Sequence, residues 1–170
     1  TITGTNGNGS DTFVFENLAT GGLDTLTNFK SGARTAGGDI LDFNKIVTES
    51  ALRANSMEIV GDVDNYNEVT GVVVLTKDNG YNTTTLTAAV SNGGAGAAKF
   101  DNKDAAFSCI IIAEAGSGTE LGIWHYVNPD INNGNTVTQI GKMTFGSDAA
   151  GKALHTGASA LAAANFKFTA

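Results

Sequence analysis

Residues 6–14 have the sequence Asn6-Gly7-Asn8-Gly9-Ser10-Asp11-Thr12-Phe13-Val14, in which a glycine-rich turn leads through a carboxylate into a short strand. Glycine allows the tight curl of such a turn because its backbone adopts positive φ angles at little steric cost. The turn brings amide, carboxylate and main-chain oxygens close together, and these are the ligands that Ca²⁺ prefers in proteins. The stretch therefore predicts a cation-binding turn followed by a strand.

Two later segments repeat the combination of an aspartate and a short strand. They are residues 24–29, which begin at Asp24, and residues 39–43, which begin at Asp39. The nonapeptide G-G-x-G-x-D-x-(apolar)-x builds calcium-binding parallel β-rolls, and residues 6–14 fit it with Asn6 in place of the first glycine. Because the three aspartates (11, 24 and 39) lie 13 and then 15 residues apart, the pattern indicates a roll that has lost its regular period.

These segments resemble the repeats-in-toxin (RTX) family, whose members bacteria export through type I secretion systems. The family pattern DTFVF…DTITDF…GDKIDLS is matched by residues 11–15, 24–29 and 38–43, with Asn28 in place of the usual Asp and Asn44 in place of the usual Ser. The C-terminal part is also similar to the segment that ends many such proteins, through residues 124–127, 130–135 and 161–168. The resemblance covers roughly residues 1–47 and 106–170.

The fold predicted from these patterns is mostly β. A short degenerate parallel β-roll runs into a β-sandwich-like sheet with one or two short helices. A length of 170 residues favours a single domain, with roll turns in 1–47, a strand and helix insert in 48–105, and C-terminal strands with a terminal cap in 106–170. In the insert, residues 84–90 have helical spacing and are followed by a glycine cap.

The resemblance implies a Ca²⁺ site at the turns of the roll. The candidate ligands are Asn6, Gly7, Asn8, Gly9, Asp11, Gly22, Asp24, Asp39 and Asp42. A complete site uses two facing loops, and residues 6–11 supply one of them. The second loop is either residues 21–24, or residues 37–39 with Asp42, or a loop outside this chain; the options within the chain are favoured.

Composition restricts the classes of partner. With 10 basic and 17 acidic residues the formal net charge is −7, which disfavours nucleic acid as a partner and attracts cations. No apolar run approaches the roughly 18 residues that indicate a membrane span, and no signal peptide is visible, which fits either a processed chain or export by a C-terminal signal. Because Cys109 is the single cysteine, an internal disulfide framework is excluded.

Catalysis finds little support in the sequence. His125 lies within a predicted strand, where we expect it to point outward or to flank a cross-strand pair, and His155 lies 30 residues away in a weakly patterned loop. Cys109 lies inside an apolar strand, where burial makes a thiol a poor nucleophile. The oxygen-rich loop 61–68 begins like an EF-hand but lacks the glycine at its sixth position, so an ordinary turn is favoured.

The function predicted is that of a non-catalytic, extracellular, calcium-binding structural domain of a type I secreted surface-layer, adhesin or biofilm-matrix protein. Such a domain would interact with the type I secretion machinery, self-associate into a layer or filament, and fold when Ca²⁺ binds outside the cell. The alternative is the C-terminal calcium-binding domain of a secreted protease, lipase or glycan-degrading enzyme. A third interpretation is a glycan-binding sandwich that uses Trp124 and Tyr126 as a stacking platform.

Overall fold

The computed structural model describes twelve separate parts of the chain, and all structural statements refer to them. They are residues 2–3, 9–15, 23–31, 37–46, 57–66, 71–77, 80–91, 93–100, 107–115, 120–129, 134–145 and 161–167. The strands are β1 (Ile2–Thr3), β2 (Thr12–Val14), β3 (Asp24–Phe29), β4 (Ile40–Asp42), β5 (Met57–Val60), β6 (Val72–Leu75), β7 (Phe107–Ala115), β8 (Glu120–Asn128), β9 (Thr136–Phe145) and β10 (Phe166–Lys167). The helices are α1 (Thr83–Val90) and α2 (Ala97–Phe100), with single 3₁₀ turns at Val63–Asn65 and Ala163–Asn165.

The described strands form two sheets. The large sheet has the order β1-β3-β9-β8-β7-β6-β5, and the small sheet has the order β10-β4-β2. Strand β8 runs antiparallel to β7 and β9, whereas the other paired strands are parallel. The prediction of a mostly β, sandwich-like fold with a short helix is confirmed.

The first four strands wind as a parallel β-roll does. They alternate between the two sheets, and each pairs in parallel with the strand two places further on, β1 with β3 and β2 with β4. Strands β9 and β10 continue the same winding, because β9 lies beside β3 and β10 lies beside β4. The described strands therefore make three coils (β1–β2, β3–β4 and β9–β10), and β5 to β8 come between the second and third coils in sequence.

The large sheet is covered on both faces. Along β7, Ile110 and Ile112 belong to a core shared with the small sheet, where Phe13, Phe15, Leu41, Phe43 and Phe166 contribute. The alternate residues Cys109 and Ile111 belong to a second core, to which α1 contributes Leu86 and Val90 and α2 contributes Phe100. The architecture is thus three layers, with the small sheet, the large sheet and the helices in that order.

Helix α1 follows from local sequence. The side chain of Asn82 accepts the N–H of Thr85 at 3.0 Å, and the hydroxyl of Thr85 accepts the N–H of Asn82 at 2.9 Å, so the first turn is capped in both directions. Beyond the last turn Gly93 has a φ of 86°, a left-handed conformation that glycine adopts without strain. Because the helix buries Leu86 and Val90 on one side, its polar side faces outward.

Asn28 has a conformational role in β3. Its φ is 59°, and the register between β3 and β9 shifts between Leu26 and Phe29. Asparagine tolerates the left-handed region better than most residues because its short polar side chain can bond to the local backbone. The asparagine that departs from the family pattern therefore lies at an irregularity of the strand.

Candidate metal centre

The predicted ligands fall into two groups. Four of them, Asn6, Gly7, Asn8 and Gly22, lie outside the described residues. The others are described: Gly9 lies shortly before β2, Asp11 and Asp39 directly precede β2 and β4, Asp24 begins β3, and Asp42 ends β4. Because Thr12 is in register with Ile40, Asp11 and Asp39 occupy the same position in successive coils.

Asp39 is buried and accepts hydrogen bonds from two parts of the backbone. Its Oδ1 accepts the N–H of Asp11 at 3.0 Å, and its Oδ2 accepts the N–H of Lys30 at 2.8 Å. Its own N–H donates to the carbonyl of Lys30 at 2.8 Å, and the whole residue is only 1% exposed. The carboxylate of Asp39 therefore joins the start of β2, the end of β3 and the start of β4.

Other polar side chains link the coils beside Asp39. The hydroxyl of Ser10 donates to the carbonyl of Gly38, one coil further on. From the third coil, Asn165 donates its Nδ2 to the carbonyl of Asp39 at 2.7 Å, while its Oδ1 accepts the N–H of Ala162 at 3.0 Å. Asn165 is fully buried, so its amide serves as the polar link between the third coil and the second.

Asp42 has donors on both carboxylate oxygens. Its Oδ1 accepts the N–H of Asn44 at 3.1 Å, and its Oδ2 lies 2.8 Å from the Nζ of Lys167. Lys167 and Asp42 are in register across β10 and β4. The ammonium is half exposed while the carboxylate is nearly buried, so Lys167 supplies the positive charge beside Asp42.

Asp24 lies elsewhere. It begins β3 in the large sheet, half-buried and in register with Gly141, whereas Asp11, Asp39 and Asp42 lie along the small sheet. The described parts of the chain contain no group of three or more His, Cys, Asp or Glu side chains that could hold a metal ion. The oxygen donors suit Ca²⁺ in kind, but those of Asp39 and Asp42 already accept protein N–H groups. The assignment of these residues as metal ligands stays a prediction.

Sequence reasoning missed Asn165 and Lys167 as partners of the aspartates. The signal available was slight: an amide and an ammonium flank Phe166 in an otherwise alanine-rich segment. Their partners lie more than a hundred residues earlier, which no local pattern indicates.

The described part of the loop that begins like an EF-hand, residues 61–66, is a capped turn. Asp62 caps the 3₁₀ turn Val63–Asn65, and its Oδ1 accepts both the N–H of Val63 at 2.8 Å and the hydroxyl of Tyr81 at 2.6 Å. Its Oδ2 lies 2.7 Å from the Nζ of Lys77. The carboxylate thus fastens the connection after β5 to the segments that follow β6.

The proposed glycan platform is wrong. Trp124 and Tyr126 have no exposed surface, because they lie on the face of β8 that the helices cover. The Nε1 of Trp124 donates to the hydroxyl of Thr83 at 3.3 Å, and the hydroxyl of Tyr126 donates to the carbonyl of Phe100 at 2.7 Å. A buried ring cannot stack on a sugar.

Of the two expectations for His125, the outward orientation is wrong, while a place at a cross-strand pair agrees with the structure. His125 is buried in β8, in register with Ile110 on one side and Thr138 on the other, and its Nε2 has no hydrogen-bond partner among the described residues. Burial lowers the pKa of His125 from 6.5 to about 4, because a charged imidazole would lose its hydration there. The imidazole is therefore neutral at pH 7.

This pKa makes stability depend on pH. The unfolded chain binds a proton at His125 near pH 6.5, whereas the folded chain resists it until about pH 4, so stability is full above pH 6.5 and falls as the pH drops to about 4. We expect the wild-type protein to lose about 3 kcal/mol more of its unfolding free energy than His125→Gln over this interval, at about 1.4 kcal/mol per pH unit. Urea unfolding at pH 7 and pH 4 measures the difference.

His155→Gln is the matched control, since it removes the other histidine, and it should follow the wild-type pH profile. If His125→Gln loses as much stability in acid as the wild type, a group other than His125 causes the acid sensitivity.

Among the described residues, no helix is long and apolar enough to cross a membrane. Comparisons of this chain with protein-family models, with curated proteins and with solved structures found no match.

Proposed function

We propose that this chain is a non-catalytic, calcium-binding structural domain of a bacterial surface-layer, adhesin or biofilm-matrix protein that leaves the cell by type I secretion. One observation carries the proposal. The first four strands alternate between two sheets with parallel pairing, and Asp11 and Asp39 stand at matching positions of successive coils. This arrangement supports the interpretation of the glycine-rich segment 6–11 as the turn of a roll.

The polar groups of the described residues support a structural role. The carboxylates of Asp39, Asp42 and Asp62 are all engaged by donors that join separate segments of the chain. Cys109 and His125 are buried on opposite faces of the large sheet, so they do not form a catalytic pair. These side chains therefore stabilise the fold and are not available as catalytic groups.

Residues 6–11, together with a neighbouring turn, would hold the ion. Bound Ca²⁺ would neutralise carboxylates that repel one another in its absence. Because an ion that binds only the folded chain stabilises it by RT ln(1 + [L]/Kd), the fold would tighten where calcium is abundant. The chain would then be loose inside the cell, where calcium is scarce, and ordered outside it.

The test is thermal unfolding of Asp11→Ala. In millimolar Ca²⁺ we expect its Tm to fall by about 2–4 °C for each kcal/mol of lost binding free energy, the range for a chain of this size. In excess chelator the wild type and the variant should unfold at nearly the same temperature, because the ion is then absent from both.

Asp64→Ala is the matched control, since Asp64 is an exposed aspartate in the capped turn after β5 and should not affect calcium binding. Equal losses for Asp11→Ala in calcium and in chelator would make Asp11 a residue of the turn alone and would count against the calcium site.

A further inference from the structure

The small sheet is completed by a short segment from the far end of the chain. Residues 161–167, named here the closing segment, place β10 beside β4, and Leu161 and Phe166 enter the core shared with the large sheet. Fifteen residues, 146–160, connect the closing segment to the end of β9 at Phe145. A connection of that length reaches about 50 Å when extended, well beyond the width of one domain.

The closing segment makes three kinds of contact with the second coil. Asn165 donates to the carbonyl of Asp39 at 2.7 Å, the ring of Phe166 stacks near that of Phe43 with centroids 6.5 Å apart, and Lys167 pairs with Asp42 at 2.8 Å. An amide, an aromatic ring and a cation in consecutive positions fix the direction and the register of the strand. The edge of β4, with Phe43, thus forms a receptor for one particular sequence.

The closing segment is also the least securely paired part of the third coil. Strand β10 has two residues in register with β4, whereas β9 is ten residues long and pairs with both β3 and β8. Strands that are paired over only a few residues open at a lower free energy than the global unfolding of the domain. The closing segment can therefore leave its place while the large sheet stays intact.

We propose that the closing segment exchanges between copies of this chain, so that residues 161–167 of one copy complete the small sheet of the next. This inference rests on the self-association in the proposed function, for which strand exchange would be the mechanism. Exchange costs little because each interaction that a copy gives up within itself is made again with its neighbour, and high local concentration favours it. Charge also favours the closing segment of a second copy at the edge of β4. In a chain of net charge −7, Lys167 of that segment brings a positive charge to the buried carboxylate of Asp42.

A pair of charge-reversed variants tests the proposal. Asp42→Lys and Lys167→Asp each place like charges together within one copy, but mixing them allows favourable pairs between copies. We expect each variant alone to elute as a monomer and an equimolar mixture to form hetero-oligomers, at least about ten-fold more tightly than either alone, by size exclusion with light scattering; a ten-fold change corresponds to about 1.4 kcal/mol. A mixture that stays monomeric overturns the proposal. The double variant, which restores the pair within one copy, should behave as the wild type does.

A disulfide trap supplies a second measurement that does not depend on reversed charges. In the double variant Asp42→Cys with Lys167→Cys, neighbouring strands place the two thiols within reach of a disulfide. Oxidation at a concentration where the wild type assembles should give bands of two and more chains on a non-reducing gel.

The disulfide experiment distinguishes a failure of strand exchange from a failure of the proposed function. Disulfides found only within single chains, while the wild type assembles in Ca²⁺, overturn strand exchange and leave the structural function standing. Absence of both assembly and intermolecular disulfides overturns exchange and the proposed self-association together.

Discussion

Asp39→Ala lowers the free energy of unfolding by about 3–6 kcal/mol, since it removes two hydrogen bonds to a charged group at about 1.5–3 kcal/mol each. The carboxylate is buried and holds the N–H groups of Asp11 and Lys30, which belong to different coils. Without it both N–H groups, which are partly buried, lose this acceptor. Chemical denaturation measures the loss, and a fall of this size would leave a typical domain of this length close to unfolding.

The expected loss at Asp39 is the same in calcium and in chelator, because its partners are backbone groups of the protein. Asp39→Asn should lose less than Asp39→Ala, since its remaining oxygen still accepts one N–H while its amide nitrogen cannot accept the other. Asp64→Ala, at an exposed aspartate, should change stability by less than about 0.5 kcal/mol, as is usual for surface sites. A loss at Asp39 that occurs only in calcium would assign its carboxylate to the ion instead.

Trp124→Ala should cost about 3–5 kcal/mol, the range for removing a fully buried aromatic side chain. The indole lies over Gly122, where an added Cβ would overlap the six-membered ring, and it packs between the large sheet and α1. Since the backbone of a central strand cannot collapse into the vacated volume, a cavity remains. Thermal or urea unfolding gives the value.

Thr83→Val is the control for the hydrogen bond of the indole. It removes the hydroxyl that accepts the Nε1 proton and keeps the ring, so we expect a loss of about 1 kcal/mol. Gly122→Ala tests the same packing from the other side, because it should destabilise the wild type more than it destabilises Trp124→Ala. Near wild-type stability for Trp124→Ala would mean that the ring is not a core residue.

The long strands and the first helix could be predicted from sequence because their signals are local. Residues 136–145 place apolar side chains at intervals among Thr, Gln and Lys, and form β9 over that same range. The apolar residues 107–113 form most of β7, whose β-branched side chains suit a strand covered on both faces. The side chain of Asn82 caps the start of α1, and Gly93, which has no Cβ, adopts the left-handed turn that follows its end.

The third coil could not be predicted in this way. Its pairing joins Phe166 to Leu41. Parallel strands are not connected by a tight turn, so no local sequence motif indicates that these two strands pair. Burial of His125 and Trp124 was missed for a related reason. A histidine in a strand suggests an outward face, but here the helices and the small sheet cover opposite faces of β8.

The candidate site was predicted in part. The aspartates at the starts of β2 and β4 were singled out, and the structure places Asp11 and Asp39 one coil apart. Their hydrogen-bond partners were not predicted, because nearly every residue has a backbone N–H group and the sequence does not indicate which of these groups an aspartate will bind. The same sequence motif fits an aspartate that binds a metal ion and an aspartate that accepts backbone hydrogen bonds. Both roles need a carboxylate oxygen at the same turn of the chain.

The insertion of β5 to β8 between two coils has a kinetic consequence. Asp39 and Asn165 are hydrogen-bonded although 126 residues separate them, which gives the chain a high contact order. Proteins with such distant pairings fold slowly, because the entropy of closing a long loop is lost before the contacts form. A nascent chain therefore carries an unfinished third coil until residue 167 has been made, and in this interval it is most exposed to pairing with neighbouring chains.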